Sequence, residues 1–211
     1  MNCCIIGIGQ FGHAAALQLI ENGNQVCVID KNISIISNIQ DKVSYALCLE
    51  VIDEQSLTMI DIDTFDIIIL SMGQNFEELV IIAGLLKKKF SIPLIICRAN
   101  NVQQKTILHM IGIEYVILPE KESALQLVDR ISIGYGYFNR IADNYSLNYI
   151  HCKKSWTDLT IGEIKRKYQN VYLLGKKTQS EIETITDYYI CEGNEILIFC
   201  GENKFLLEIN N

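Results

Sequence analysis

One stretch limits what this chain can fold into more than any other, and it runs from Cys3 to Asp30. An apolar run, Cys3-Cys4-Ile5-Ile6, meets Gly7-Ile8-Gly9-Gln10-Phe11-Gly12. An Ala/Leu-rich stretch follows from His13 to Ile20, and a second apolar run, Val26 to Ile29, stops at Asp30. Read physically, that is strand, glycine turn, helix, strand and carboxylate. Gly7 permits a tight turn off the strand, Gly9 lets backbone approach a pyrophosphate, and Gly12 lets the helix lie close on the sheet. Phosphate oxygens would meet free N–H groups at the helix N-terminus, where the dipole favours negative charge. Asp30, eighteen positions after Gly12, can accept hydrogen bonds from both ribose hydroxyls. The alternative is a glycine turn needed only for packing.

The rest of the first half repeats the alternation. Asn32 caps a short helix to about Gln40, Val43 to Cys48 is a third strand, and Asp53-Glu54 open another short helix. Asp66 to Leu70 is a β-branched run suited to a central parallel strand, ending at Ser71-Met72-Gly73. A helix from Gln74 or Asn75 places Leu79, Ile82, Ala83 and Leu86 at helical spacing. Pro93 to Cys97 and Tyr115 to Leu118 are two further strands around a helix from Asn101 to Ile111, and Pro119-Glu120 close the last strand. Six strands with helical crossovers make one doubly wound parallel α/β sheet of the Rossmann type. Ligands bind such a sheet outside the carboxyl ends of its strands. The residues expected to ring that crevice are Gly7 to Phe11, Asp30, Glu50, Met72, Gly73, Arg98 and Glu120.

Composition narrows the function classes. Among 211 residues the net charge is −7, which argues against non-specific nucleic-acid binding, since phosphate contacts need clustered cations. Lys87-Lys88-Lys89 reads as a solvated helix end. The longest apolar stretch, Leu79 to Leu86, is far short of the ~20 residues that span a bilayer, and no signal peptide is expected, because glycines and a polar turn follow only four apolar residues after Asn2. Six of the eight cysteines (Cys4, Cys27, Cys48, Cys97, Cys191 and Cys200) lie in or beside apolar runs, with no C-x-x-C pair. These features imply a reduced, cytoplasmic protein without a structural metal.

The second half has a different texture. Leu125, Val128, Ile131 and Ile133 describe a helix from Glu122 that leads to the hinge-like patch Gly134-Tyr135-Gly136-Tyr137-Phe138. The domain boundary is expected near 139–145, giving a first lobe over 1–138 and a small α+β lobe over 145–211. In that lobe Leu147 to Ile150, Val171 to Leu174, Ile196 to Cys200 and Phe205 to Ile209 read as strands, with a short helix at Ile161 to Tyr168 and a turn at Gly193-Asn194. A lobe of that size is marginal alone and is expected to gain stability by pairing.

This order of parts resembles the RCK (regulator of potassium conductance, or KTN) family, and more closely its TrkA/KtrA-type subunits of bacterial potassium-uptake systems. The likeness rests on Gly7-x-Gly9-x-Phe11-Gly12, Asp30, Leu118-Pro119-Glu120-Lys121 before the long helix, and Gly193-Asn194-Glu195 before Ile196-Leu197-Ile198. The resemblance implies a ligand-sensing regulatory subunit that binds ATP, ADP or NAD(H). Gly7, Gly9, Gln10 and Phe11 would carry the phosphate turn, Asp30 with Lys31 the ribose, Glu50 and Val51 the adenine edge, and Met72-Gly73 the floor. Arg98 would stand near the phosphates. Glu120 would stand near a terminal phosphate and a divalent or monovalent cation at a dimer interface. The resemblance also implies homodimers assembled into an octameric ring, a TrkH/KtrB-like membrane channel or transporter subunit as partner, and a peripheral place at the inner face of the membrane. In some members the second lobe binds cyclic di-AMP. Here Gln10 replaces the Arg of many relatives, Lys165 stands where Arg is usual, and Gln169 replaces a glycine.

The competing reading is an NAD-dependent oxidoreductase using Tyr149-x-x-x-Lys153. That chemistry needs both groups on one helical face, whereas this segment reads as strand. The acid at Asp30 also disfavours a 2′-phosphate, so NADP is not expected.

Overall fold

The computed structural model describes residues 1–73, 75–132, 138–142, 144–179 and 181–210. The patch from Gly134 to Tyr137 and the helix start at Gln74 lie outside the described residues. The chain divides into two compact units, Met1–Lys121 and Glu122–Asn211.

The first unit alternates β1 (Asn2–Ile6), α1 (Gln10–Glu21), β2 (Gln25–Asp30), α2 (Ile33–Ile39), β3 (Tyr45–Cys48), α3 (Glu54–Met59), β4 (Ile67–Leu70), α4 (Phe76–Lys89), β5 (Leu94–Arg98), α5 (Val102–Met110) and β6 (Tyr115–Ile117). Its six strands are parallel in the order β3-β2-β1-β4-β5-β6. The order reverses at β1, and a crevice opens at such a reversal above the strand ends. Alternate residues feed opposite cores: Cys3, Ile5, Val26 and Val28 pack on one face of the sheet, Cys4, Ile6, Cys27 and Ile29 on the other. Both faces being covered is why these strands read as continuous apolar runs. Side chains of Asn32, Asp53, Asn75 and Asn101 accept N–H bonds at the starts of α2, α3, α4 and α5, each cap worth about 0.5–2 kcal/mol. Cys48 departs from the expectation of a buried thiol: it is exposed, because β3 is an edge strand.

Helix α6 (Pro119–Ser132) begins three residues before the expected start at Glu122. Proline suits the first helical position, where its missing N–H has no intrahelical partner to lose. Glu120 therefore stands in a helix's first turn rather than at a strand end. Leu125, Leu127, Val128 and Ile131 of this helix are all exposed.

The second unit also contains β7 (Phe138–Ala142), β8 (Tyr145–His151), α7 (Ile161–Lys167), β9 (Val171–Lys177), β10 (Ile182–Glu183), β11 (Ile196–Glu202) and α8 (Asn203–Asn210). The sheet is antiparallel in the order β10-β9-β11-β8-β7. Its core centres on Trp156, fully buried against Tyr168 and Phe199. Two expectations fail here. Phe205 to Ile209 is helical, not a strand: β11 is already flanked by β9 and β8, and Leu206 and Ile209, three apart, face the core together. Most of the stretch expected to hold the domain boundary, 139–145, falls in β7 and β8 instead. Among the described residues no helix is long and apolar enough to cross a membrane.

Candidate functional site

The ends of β1, β2 and β4 are stitched together by backbone. Gly7 N–H donates to Ile29 O at 2.8 Å, Ser71 N–H to Ile6 O at 2.8 Å, and Leu49 N–H to Asp30 O at 3.1 Å. Gly7 has φ of +89°, which disfavours any residue with a side chain. A Cβ on Gly12 would collide with the Gly7 carbonyl oxygen, so α1 sits directly on the turn. Around Gly9 nothing lies within 4 Å of where a Cβ would be, so the loop is open at that point. Gly9 offers α1 no side-chain cap and the first turn carries no acid, leaving the positive end of the helix able to receive an anion.

Asp30 is aimed at this loop. Its Oδ2 accepts from Ile8 N–H at 2.8 Å and its Oδ1 from Asn32 N–H at 2.8 Å. A carboxylate offers about four lone-pair positions, so a fixed Asp30 retains capacity for two hydroxyls. Beside it Lys31 Nζ donates to Glu50 at 2.9 Å. The bond to Glu50 raises the Lys31 pKa.

The other wall runs from β1 to β5. A Cβ on Gly7 would stand 2.9 Å from Met72 Cγ, and one on Gly73 would stand 2.7 Å from Arg98 Nη1. The guanidinium therefore lies across the end of β4 toward the glycine turn. Arg98 Nη2 pairs with Glu120 Oε1, and Arg98 Nε is buried without a partner, as is Ser71 Oγ. Glu120 has a lowered pKa, first through its own backbone N–H and then, against some desolvation, through Arg98. Asn100, which the sequence did not single out, fixes the floor by donating from Nδ2 to Gly73 O at 2.6 Å.

Most of the expected crevice residues thus meet at the strand ends. Gln10 is exposed and Phe11 half-buried in the first turn of α1. Val51 is packed into the core beside Leu57 and Ile62. Of the residues expected there, three are acids and two are bases. Two ion pairs cancel four of those charges and leave Asp30 over. Among the described residues no three His, Cys, Asp or Glu side chains are placed to hold a metal. Burial pushes the Cys97 thiol up to about 12, which makes it inert. Tyr149 lies within β8 and Lys153 beyond its end, so the two share no helical face.

The second unit carries a separate groove of 780 Å³ between α7 and β9, lined among others by Thr160, Lys165, Arg166, Gln169 and Tyr172. Lys165 pairs there with Asp187 at 2.7 Å.

Residues 3–119 match the TrkA-N domain family. The Ktr system potassium uptake protein A of Vibrio alginolyticus is 25% identical over 127 residues, covering 60% of this chain and 57% of that protein. Its Bacillus subtilis namesake is 27% identical over 146 residues, covering 69% and 61%. The match therefore spans about three-fifths of the length of these relatives. The GsuK channel bound to NAD superposes on 97% of this chain and 38% of its own, with TM-score 0.61 and 14% identity. GsuK bound to ADP superposes on 62% of this chain and 33% of its own, with TM-score 0.54 and 24% identity. With the family matched across the whole glycine-turn sheet, this chain belongs to the TrkA-N domain family.

Proposed function

We propose that the first unit binds an adenine nucleotide, ATP, ADP or NAD(H), and that the protein is a non-catalytic sensor regulating a membrane potassium channel or transporter subunit. The observation that carries this reading is the Asp30 carboxylate hydrogen-bonded to Ile8 N–H beside the open loop at Gly9. In this reading Gly7, Gly9, Gln10 and Phe11 surround the phosphates. Asp30 takes the ribose, with Lys31 and Glu50 at its rim and Val51 behind the adenine edge. Met72 and Gly73 form the floor, and Arg98 faces the distal phosphate. Glu120, once released from Arg98, is the residue from which a cation would be held. NAD and ADP share the adenosine diphosphate that this arrangement fits, and GsuK has been solved with each.

The lobes divide the work: residues 1–138 bind nucleotide and carry the change through α6, and residues 145–211 pair with a second copy. The exposed apolar stripe Leu125, Val128 and Ile131 supports pairing through α6, on the way to an octameric ring below a TrkH/KtrB-like partner at the inner face of the membrane. The groove lined by Lys165 and Arg166 is where cyclic di-AMP would bind. A bound nucleotide shifts such an assembly only by favouring one of its conformations.

Native mass spectrometry of ligand carried through purification, with a turnover assay, tests the reading. A retained adenine nucleotide without hydride transfer is the expected result. Reproducible NADH oxidation with a small substrate would establish the oxidoreductase instead.

A further inference from the structure

We propose that Glu120 is a displaceable stand-in for phosphate: it holds the guanidinium of Arg98 in the free site and competes with the distal phosphate of an incoming nucleotide. The inference rests on reading the crevice as an adenine-nucleotide site, and it makes Glu120 an opponent of diphosphate binding.

The geometry is asymmetric. The Arg98 side chain is 18% exposed and Glu120 is 65% exposed. Arg98 Nη1 lies against Gly73 and its buried Nε has no partner, so the guanidinium is seated in the wall with donor capacity unused. A guanidinium has five N–H donors in a planar fork that suits carboxylate and phosphate alike. Glu120 engages it from the solvent side and can return to water at little cost. The cation also has the right reach. Arg98 stands on β5, two strands from β1, or about 10 Å at the usual strand spacing. Its guanidinium already covers part of that distance by lying over the end of β4.

Among the described residues no other cation at these strand ends is free to do the same. Lys31 is held by Glu50, and position 10 is an uncharged Gln. A diphosphate entering along the glycine turn therefore meets one seated cation already covered by one mobile carboxylate. Two anions cannot share that cation without repulsion, and the mobile one leaves.

Isothermal titration calorimetry on the full chain, with chelator present, reads this out using AMP and ADP as probes. Replacing Glu120 by Gln removes the competing charge and keeps the shape, so Glu120→Gln should bind ADP about threefold to tenfold more tightly than the unaltered chain. The gain for AMP should be smaller, and Glu120→Ala should behave in the same way. Arg98→Gln should weaken ADP binding, and on that background Glu120→Gln should bring no gain. Weaker or unchanged ADP affinity in both Glu120 variants, while the unaltered chain binds ADP, overturns the competitor role and leaves the pocket reading standing. No AMP or ADP binding by the unaltered chain overturns the pocket reading and this inference together.

Discussion

The two units use their sheets in opposite ways. In the first, six parallel strands are covered on both faces by separate cores, so the sheet presents only its strand ends, where backbone amides and a few polar side chains converge. In the second, an antiparallel sheet has a core built around Trp156, and Tyr172, Leu174, Ile182, Tyr188 and Ile190 remain exposed. The difference follows from connectivity. Parallel strands need crossover helices, which cover the faces, while antiparallel strands joined by turns can leave one face uncovered. A closed sheet offers a small-molecule crevice, and an open one offers a surface for another chain.

Substitutions that act on one unit alone would sharpen or break this contrast. Trp156→Ala empties the middle of the second core and should cost about 3–5 kcal/mol. Hydrogen exchange should show protection lost across 145–209 and kept across 2–117. Equal loss in both regions would contradict two separate cores. Gly12→Ala forces a methyl group onto the Gly7 carbonyl and should cost about 1–3 kcal/mol, with the reverse pattern of lost protection and a lower first-unit melting temperature.

Acid should also separate the units, with a smaller effect. Burial pushes Glu195 upward, but the Tyr189 hydroxyl, the Glu192 N–H and Lys176 outweigh it and hold its pKa low. A carboxylate held below its unfolded value of about 4.3 contributes stability above that pH and loses it as pH falls through the folded value. Glu163, lowered first by the Thr160 N–H, adds a contribution of the same sign in this unit, and Asp53, lowered first by the Ser56 N–H, does so in the first. Amide protection around β9 and β11 should therefore decline below about pH 4.3, and Glu195→Gln should flatten that decline. An unchanged profile in the variant would remove Glu195 from the account.

The smallest expected effect on stability comes from α6. Val128→Glu with Ile131→Glu changes exposed positions and should shift unfolding by no more than about 0.5 kcal/mol per site. Sedimentation should nonetheless show loss of self-association. A variant that still assembles would remove α6 from the pairing surface.

What could be read in advance follows the same division. Val26 to Ile29 and Ile67 to Leu70 declare buried parallel strands because both faces must be apolar, and Asn32, Asp53 and Asn101 declare helix starts through their cap chemistry. Phe205-Leu206-Leu207 has no resolvable period over so short a run, so the sequence suggests a strand where α8 lies. Asn139-Arg140 suggests a domain boundary because a sheet edge tolerates polar residues. Gly7, Gly9 and Asp30 were legible as a motif with fixed spacing. The Arg98–Glu120 pair and the Asn100 bond to Gly73 were not, since they join positions more than twenty residues apart, and sequence spacing does not encode such contacts.

The proposed site stands on Asp30 gripping a ribose beside an open backbone loop. Calorimetric titration of ADP into the Asp30→Ala chain tests this most directly, with circular dichroism to verify folding. The expected result is a folded protein with no measurable ADP binding, beside an unaltered chain that binds. A folded Asp30→Ala chain with undiminished ADP affinity would contradict the site.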